Sequence, residues 1–178
     1  MNRATVRIYA RSIYNAARNE KVLDDAMRDL EKLNQGLNSR PDYIRNLQNP
    51  LIPIRNRAEV VRKLTENSHP LVQRFMDFLM RRYALGILTD ILGTLKDFQV
   101  EEQGGLVASL TVPHQLSEKE IETIRGRVKT LIGRDPHFKV VIDPSILGGF
   151  VIRSESYLID ASMKGYLKKL TGGKLHGS

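Results

Sequence analysis

A chain of 178 residues with 41% apolar content, no cysteine and a net charge of +8 has room for one good core or two small ones. These totals argue against disorder, exclude disulfides, thiolate metal sites and a cysteine nucleophile, and fit a reducing compartment. No apolar run approaches the ~18 residues needed to cross a bilayer, so the chain is expected to be soluble or peripheral; the charge calls for an anionic partner, whether nucleic acid, membrane surface or acidic protein.

Residues 2–18 read as an amphipathic helix. Val6, Tyr9, Ala10, Ile13, Ala16 and Ala17 recur at three- and four-residue steps, while Arg3, Arg7, Arg11 and Arg18 form a separate stripe with no acid among them. Three readings fit this segment: a solvated face over a local core, an Arg-rich and acid-poor transit peptide, or a partner-binding helix. A second helix over 22–38 places Leu23, Met27, Leu30, Leu33 and Leu37 on one stripe, with Asp24, Asp25 and Asp29 early, where the helix dipole favours them. Pro41 suits the first turn of a short third helix over 41–47.

Asn49-Pro50-Leu51-Ile52-Pro53 is a rigid connector, because each proline restricts itself and the residue before it. A fourth helix is predicted over 54–66. Pro70 starts a fifth, with Leu71, Phe75, Phe78 and Leu79 inward. A sixth follows Gly86 and carries Ile87, Leu88, Ile91, Leu92, Leu95 and Phe98. Gln103-Gly104-Gly105 marks a domain boundary, giving a helical part over 1–104 and a mixed α/β part over 105–178.

The second part opens with a strand over 106–112, whose Val107, Ser109 and Thr111 alternate against Ala108, Leu110 and Val112. Ser117-Glu118-Lys119-Glu120 is a capping box for a helix to residue 132, with Ile121, Ile124, Val128, Leu131 and Ile132 toward the sheet. Residues 138–142 form another strand. Gly148-Gly149 then precedes a β-hairpin, 150–153 and 157–159 around a Ser154-Glu155-Ser156 turn. Asp160 and Ser162 can cap a closing helix over 163–170, and the tail from Gly172 is expected to fray. The fold class is therefore α+β: a six-helix N-terminal bundle followed by a small mixed α/β domain.

Catalytic chemistry finds no footing. His69, His114, His137 and His176 are scattered, without ligand spacing or a carboxylate partner. No phosphate-cradling loop or nucleophile elbow occurs, and Gly148-Gly149 precedes a strand where anion binding needs a helix. Asp135, Asp143 and Asp160 are explained as loop and cap residues. No cofactor or metal is expected. Nucleic-acid binding is the alternative that composition supports: a pI near 9.8 and basic positions such as Arg125, Arg127 and Lys129 fit its electrostatic footprint. Against it stand the missing tryptophan, 6% aromatic content and basic residues that alternate with acids along helices.

The ordered string Asp143-Pro144-Ser145-Ile146-Leu147-Gly148-Gly149, strand, turn, Ile159-Asp160-Ala161-Ser162 and a Leu-spaced helix resembles the signature of the F-type ATP synthase delta subunit, whose mitochondrial counterpart is the oligomycin-sensitivity-conferring protein. The opening residues Arg7, Tyr9, Ala10, Arg11, Ile13, Tyr14 and Ala17 resemble that family's first helix, and Asn49-Pro50 with Arg57 resembles its Asn-Pro turn and following basic residue. Departures are Val6 and Ser12 where alanine is usual, Ala84-Leu85 at an Arg-Leu position, and Val112-Pro113 in place of Ser-Ala.

The resemblance implies a non-catalytic stator subunit that sits on the catalytic head of the synthase and resists the torque of the rotating shaft. The N-terminal part would hold N-terminal segments of the alpha subunits in a groove between the first and fifth helices. The C-terminal part would join the b subunits of the peripheral stalk. Membrane attachment would be indirect, through the complex, on the cytoplasmic face of a bacterial plasma membrane. Apolar residues left after core assignment then become contact candidates: Ile8 and Tyr14 on the first helix, Met76, Met80 and Tyr83 on or after the fifth, and Tyr166, Leu167 and Leu170 on the last. Arg7 and Arg11 are candidates for acids on the partner.

Overall fold

The structure, a computed structural model of the chain, describes residues 2–172, with side chains described through Leu167. His176, the tail beyond Gly172 and the side chain of Leu170 lie outside the described residues. The architecture is mixed α+β, with eight helices and a four-stranded sheet among the described residues. The chain separates into two compact units, Met1–Phe98 and Gln99–Ser178.

Unit 1 is built from α1 (Arg3–Asn19), α2 (Leu23–Asn38), α3 (Pro41–Leu47), α4 (Ile54–Leu64), α5 (Pro70–Arg81) and most of α6 (Leu88–Glu102). Asn2 caps α1, its Oδ1 accepting from the Ala4 N–H at 3.2 Å, and His69 caps α5, its Nδ1 accepting from the Leu71 N–H at 3.2 Å. The α4 helix stops at Leu64, two residues short of the predicted end, where the Thr65 hydroxyl donates back to the Val61 carbonyl at 2.9 Å. One apolar cluster joins all six helices, from Ala10 and Ile13 on α1 through Leu30 on α2 and Val61 on α4 to Ile91 and Leu95 on α6.

The α5 stripe corrects the sequence reading. Its apolar residues come as doublets four apart, Leu71-Val72, Phe75-Met76 and Leu79-Met80, and all six are buried. Met76 and Met80 are therefore core residues, at 1% and 0% exposure, and not apolar side chains left over on the surface. Phe78, expected inward, lies on the helix flank at 37% exposure. Two positions per turn fill the inner face, so the third apolar residue is pushed to its edge. Tyr14 is likewise core, at 3% exposure, with its ring edge-on to Phe98 at 5.5 Å.

Unit 2 holds the sheet, in the order β2-β1-β3-β4, with β1 at Leu106–Val112, β2 at Pro136–Ile142, β3 at Val151–Arg153 and β4 at Leu158–Asp160. The β1–β2 pair is parallel, and α7 (Glu118–Ile132) is its crossover; β3 and β4 are added antiparallel. The predicted capping box is present: Ser117 Oγ accepts from the Glu120 N–H at 3.4 Å, and Glu120 Oε2 accepts from the Ser117 N–H at 2.8 Å. This pairing lowers the Glu120 pKa, mainly through the Ser117 hydroxyl. Along β1, Leu106, Ala108, Leu110 and Val112 are buried, and on α7 Val128 is buried with Ile124 and Ile132 packed beside it. Leu131, expected toward the sheet, is 72% exposed, while its neighbour Ile132 packs against the unit 2 cluster.

Candidate functional site

The motif around Gly148-Gly149 is a backbone fitting. Gly149 has φ +78, and a Cβ there would lie 2.2 Å from the Ala161 carbonyl oxygen. Only glycine combines that left-handed conformation with that approach. The strand-to-helix turn is tied by three further bonds: Ala161 N–H to the Phe150 carbonyl at 3.0 Å, Met163 N–H to the Gly148 carbonyl at 3.0 Å, and Gly165 N–H to Ser162 Oγ at 3.0 Å. Ser162 in turn donates its hydroxyl to Asp160 Oδ1 at 2.6 Å, so Asp160 orients the cap and Ser162 makes it. A Cβ at Gly165 would meet the Asp160 carboxylate at 2.6 Å, which fixes the first turn of α8 (Met163–Gly172) against the end of β4. The organised string of residues thus anchors α8, whose Met163, Tyr166 and Leu167 are exposed at 57%, 66% and 53% and share one face at steps of three and four.

In unit 1 the candidate residues fall into three places. Arg7 and Arg11 lie over Phe98, with their guanidinium carbons 5.5 and 3.7 Å from its ring centroid, and Tyr14 meets the same ring. Ile8 points elsewhere and is 62% exposed. Tyr9 and Phe78 meet edge-to-face at 5.1 Å along the seam of α1 and α5, beside Phe75. Tyr83 belongs to a separate cluster. It takes a left-handed φ of 53°, its hydroxyl accepts from Arg57 Nη2 at 3.3 Å, and its ring lies 4.8 Å below the same guanidinium.

Arg57 is the residue that sequence reasoning undervalued. At 4% exposure its guanidinium also donates to the Leu47 carbonyl at 3.3 Å and the Ile52 carbonyl at 3.1 Å, so it ties the end of α3, the Asn-Pro connector and Tyr83 together. The signal was present: Arg57 and Val61 stand four apart on the inward stripe of α4. Beside it lies an open cleft of about 500 Å³ lined by Tyr43, Leu47, Ile52, Arg57, Val60 and Leu64. In unit 2, Arg125 holds Asp135 by two bonds, 2.9 and 3.0 Å, which lowers the Asp135 pKa, and Asp143 is lowered by its turn bonds to Ser145. These pairs fasten loops. No group of three or more potential metal ligands exists among the described residues.

The arrangement is that of an α+β protein of two units whose exposed apolar side chains stand on helix and strand surfaces. Across residues 6–172 the sequence matches the ATP synthase delta (OSCP) subunit family, and the chain belongs to it. It is similar to ATP synthase subunit delta of Rhodopseudomonas palustris strain BisB5, 25% identical over 164 residues that cover 91% of this chain and 88% of that protein. The corresponding protein of Rhizorhabdus wittichii is 27% identical over 167 residues, covering 91% and 89%. In fold it resembles a chain of the Toxoplasma gondii mitochondrial ATP synthase hexamer, with a TM-score of 0.66, 15% identity, and coverage of 97% and 98%. Nothing in these comparisons supports the nucleic-acid alternative.

Proposed function

We propose that this protein is a non-catalytic stator subunit of a rotary ATP synthase, linking the catalytic head to the peripheral stalk so that rotation is coupled to ATP synthesis. Unit 1, acting as a six-helix bundle, takes N-terminal segments of the alpha subunits on the face shared by α1 and α5; unit 2 takes the b subunits on α8. The chain reaches the cytoplasmic face of a bacterial plasma membrane only through the complex. No helix among the described residues is long and apolar enough to cross a membrane.

The observation that carries the reading is the α1–α5 seam. Phe78 at 37% exposure leaves apolar surface beside Tyr9, with the Arg82 guanidinium 5.7 Å from its ring, and Ile8 stands 62% exposed on α1. An amphipathic helix with an acidic flank satisfies both features. Torque is resisted by area and packing, not by a reactive group, so a working surface of this kind needs no pocket. Met76 and Met80 lie in the core of α5 behind this face, while Ile8, Phe78 and Arg82 make contact.

Ile8→Asp tests this. Because Ile8 is exposed, the variant should keep its helical signal and melting temperature and lose co-purification with the catalytic head. Undiminished head binding would overturn the assignment of the face. On α8, Tyr166→Asp should instead release the b subunits and leave head binding intact.

A further inference from the structure

The glycine pair that reads as a loose domain boundary is bonded at every backbone group. The units divide between Phe98 and Gln99, inside α6, so the last turn of that helix and Gln103-Gly104-Gly105 belong to unit 2. The Gly104 N–H donates to the Glu101 carbonyl at 3.1 Å and the Gly105 N–H to the Val100 carbonyl at 2.9 Å, with Gly104 at φ +82. These two bonds make a Schellman closure, in which the residues after a helix fold back onto its last turn. Both glycine carbonyls go to Arg134: Nε donates to the Gly104 oxygen at 3.2 Å, and Nη2 donates to the Gly105 oxygen. A flexible glycine linker leaves such groups to water; here all four are taken up by protein.

The space around the pair is equally tight. Gly105 is buried, and a Cβ on it would lie 2.7 Å from Val100 Cγ1 and 2.9 Å from the Val100 carbonyl oxygen. The next residue enters the sheet at once, because the Leu106 N–H donates to the Asp135 carbonyl at 2.8 Å, and Arg125 grips the Asp135 carboxylate. Arg134 precedes Asp135 and follows Gly133, which closes α7 at φ +76. The end of α6, the start of β1, the end of α7 and the start of β2 thus share one knot, and the Arg134 side chain reaches across it.

We propose that Arg134 is a latch that fixes the end of α6 to the sheet, so that Gly104-Gly105 is a rigid splice and not a hinge. Its planar fork suits the task, since one guanidinium presents two N–H groups to successive carbonyls. If unit 1 grips the head and unit 2 the stalk, force enters the sheet through α6 with no slack at the glycines. That consequence rests on the function proposed above; the latch itself does not.

The test is read on the free chain. Amide exchange followed by NMR should find Gly105 and Leu106 protected, and a Glu-specific protease should cut slowly after Glu101 and Glu102. Arg134→Gln should speed exchange at both amides and cutting at both glutamates by at least about tenfold, while the Leu110 amide in mid-sheet keeps its protection. Arg134→Lys should recover only part of the loss. Free exchange of the Gly105 amide in the unaltered protein would overturn the proposal without recourse to any variant. So would an Arg134→Gln protein in which the two amides and the two cleavage rates are unchanged. Either failure leaves the stator reading standing, and undiminished head binding by Ile8→Asp would leave the latch standing.

Discussion

In unit 1, 24 buried apolar side chains form one cluster fed by six helices, whereas the cluster in unit 2 has five among the described residues. The helical unit is held by bulk: each buried Leu or Ile contributes about 1.5–3 kcal/mol, and no single contact decides the fold. The mixed unit has less apolar area to draw on and relies on backbone fit. Gly149 lies on the Ala161 carbonyl, Gly165 on Asp160, and capping and ion-pair bonds fasten Glu120 and Asp135. The two units should therefore break differently, the first by losing volume or gaining charge inside, the second by gaining one methyl group.

The largest effect is expected from Met80→Asp. A carboxylate at a site of 0% exposure costs more than several kcal/mol, comparable to the whole stability of a small domain. Amide exchange should show α1–α5 unprotected while the strands of unit 2 keep their protection; a surviving helical unit would contradict the core assignment. Next comes Gly149→Ala, which forces a left-handed alanine against a carbonyl and should lower the urea transition of unit 2 by at least ~2 kcal/mol. An unchanged midpoint would show that the fit is looser than its 2.2 Å approach implies.

Arg57→Met sharpens the comparison from the other side, because it removes a polar tie inside the apolar unit. The Leu47 and Ile52 carbonyls lose a donor, and unit 1 should weaken by about 1–3 kcal/mol in the same urea experiment, with Tyr83→Phe giving a smaller loss.

The smallest effect is acid sensitivity in unit 2. Asp135 is lowered chiefly by its bonds to Arg125, and Glu120 by its bonds to Ser117. A carboxyl lowered in the folded state contributes stability above its unfolded value, about 3.9 for Asp and 4.3 for Glu, and loses it as pH falls through the folded value. The midpoint of unit 2 should be level above about pH 5 and decline below about pH 4, and Asp135→Asn should reduce the decline.

Much of the fold was legible because it is written in local patterns. Pro41 and Pro70 mark helix starts that the structure reproduces, Ser117 and Glu120 form the capping box, and the hairpin around Ser154–Ser156 falls within one residue of its expected strands. The candidate surface was less legible. Periodicity names the residues of a helix face but not the centre of that face, so Phe78 and the methionines of α5 exchanged places, and Leu131 went outward. A one-residue rotation of about 100° is enough to do this.

The sequence alone determined the order of elements, several of their starts and family membership, since caps, prolines and glycine pairs act over a few residues. Only the tertiary structure decided that Arg57 is a buried tie, that Tyr14 is a core residue, and that β2 is an edge strand. Those outcomes depend on which elements meet from distant parts of the chain, as when Arg57 meets Tyr83, and local periodicity carries no record of that meeting.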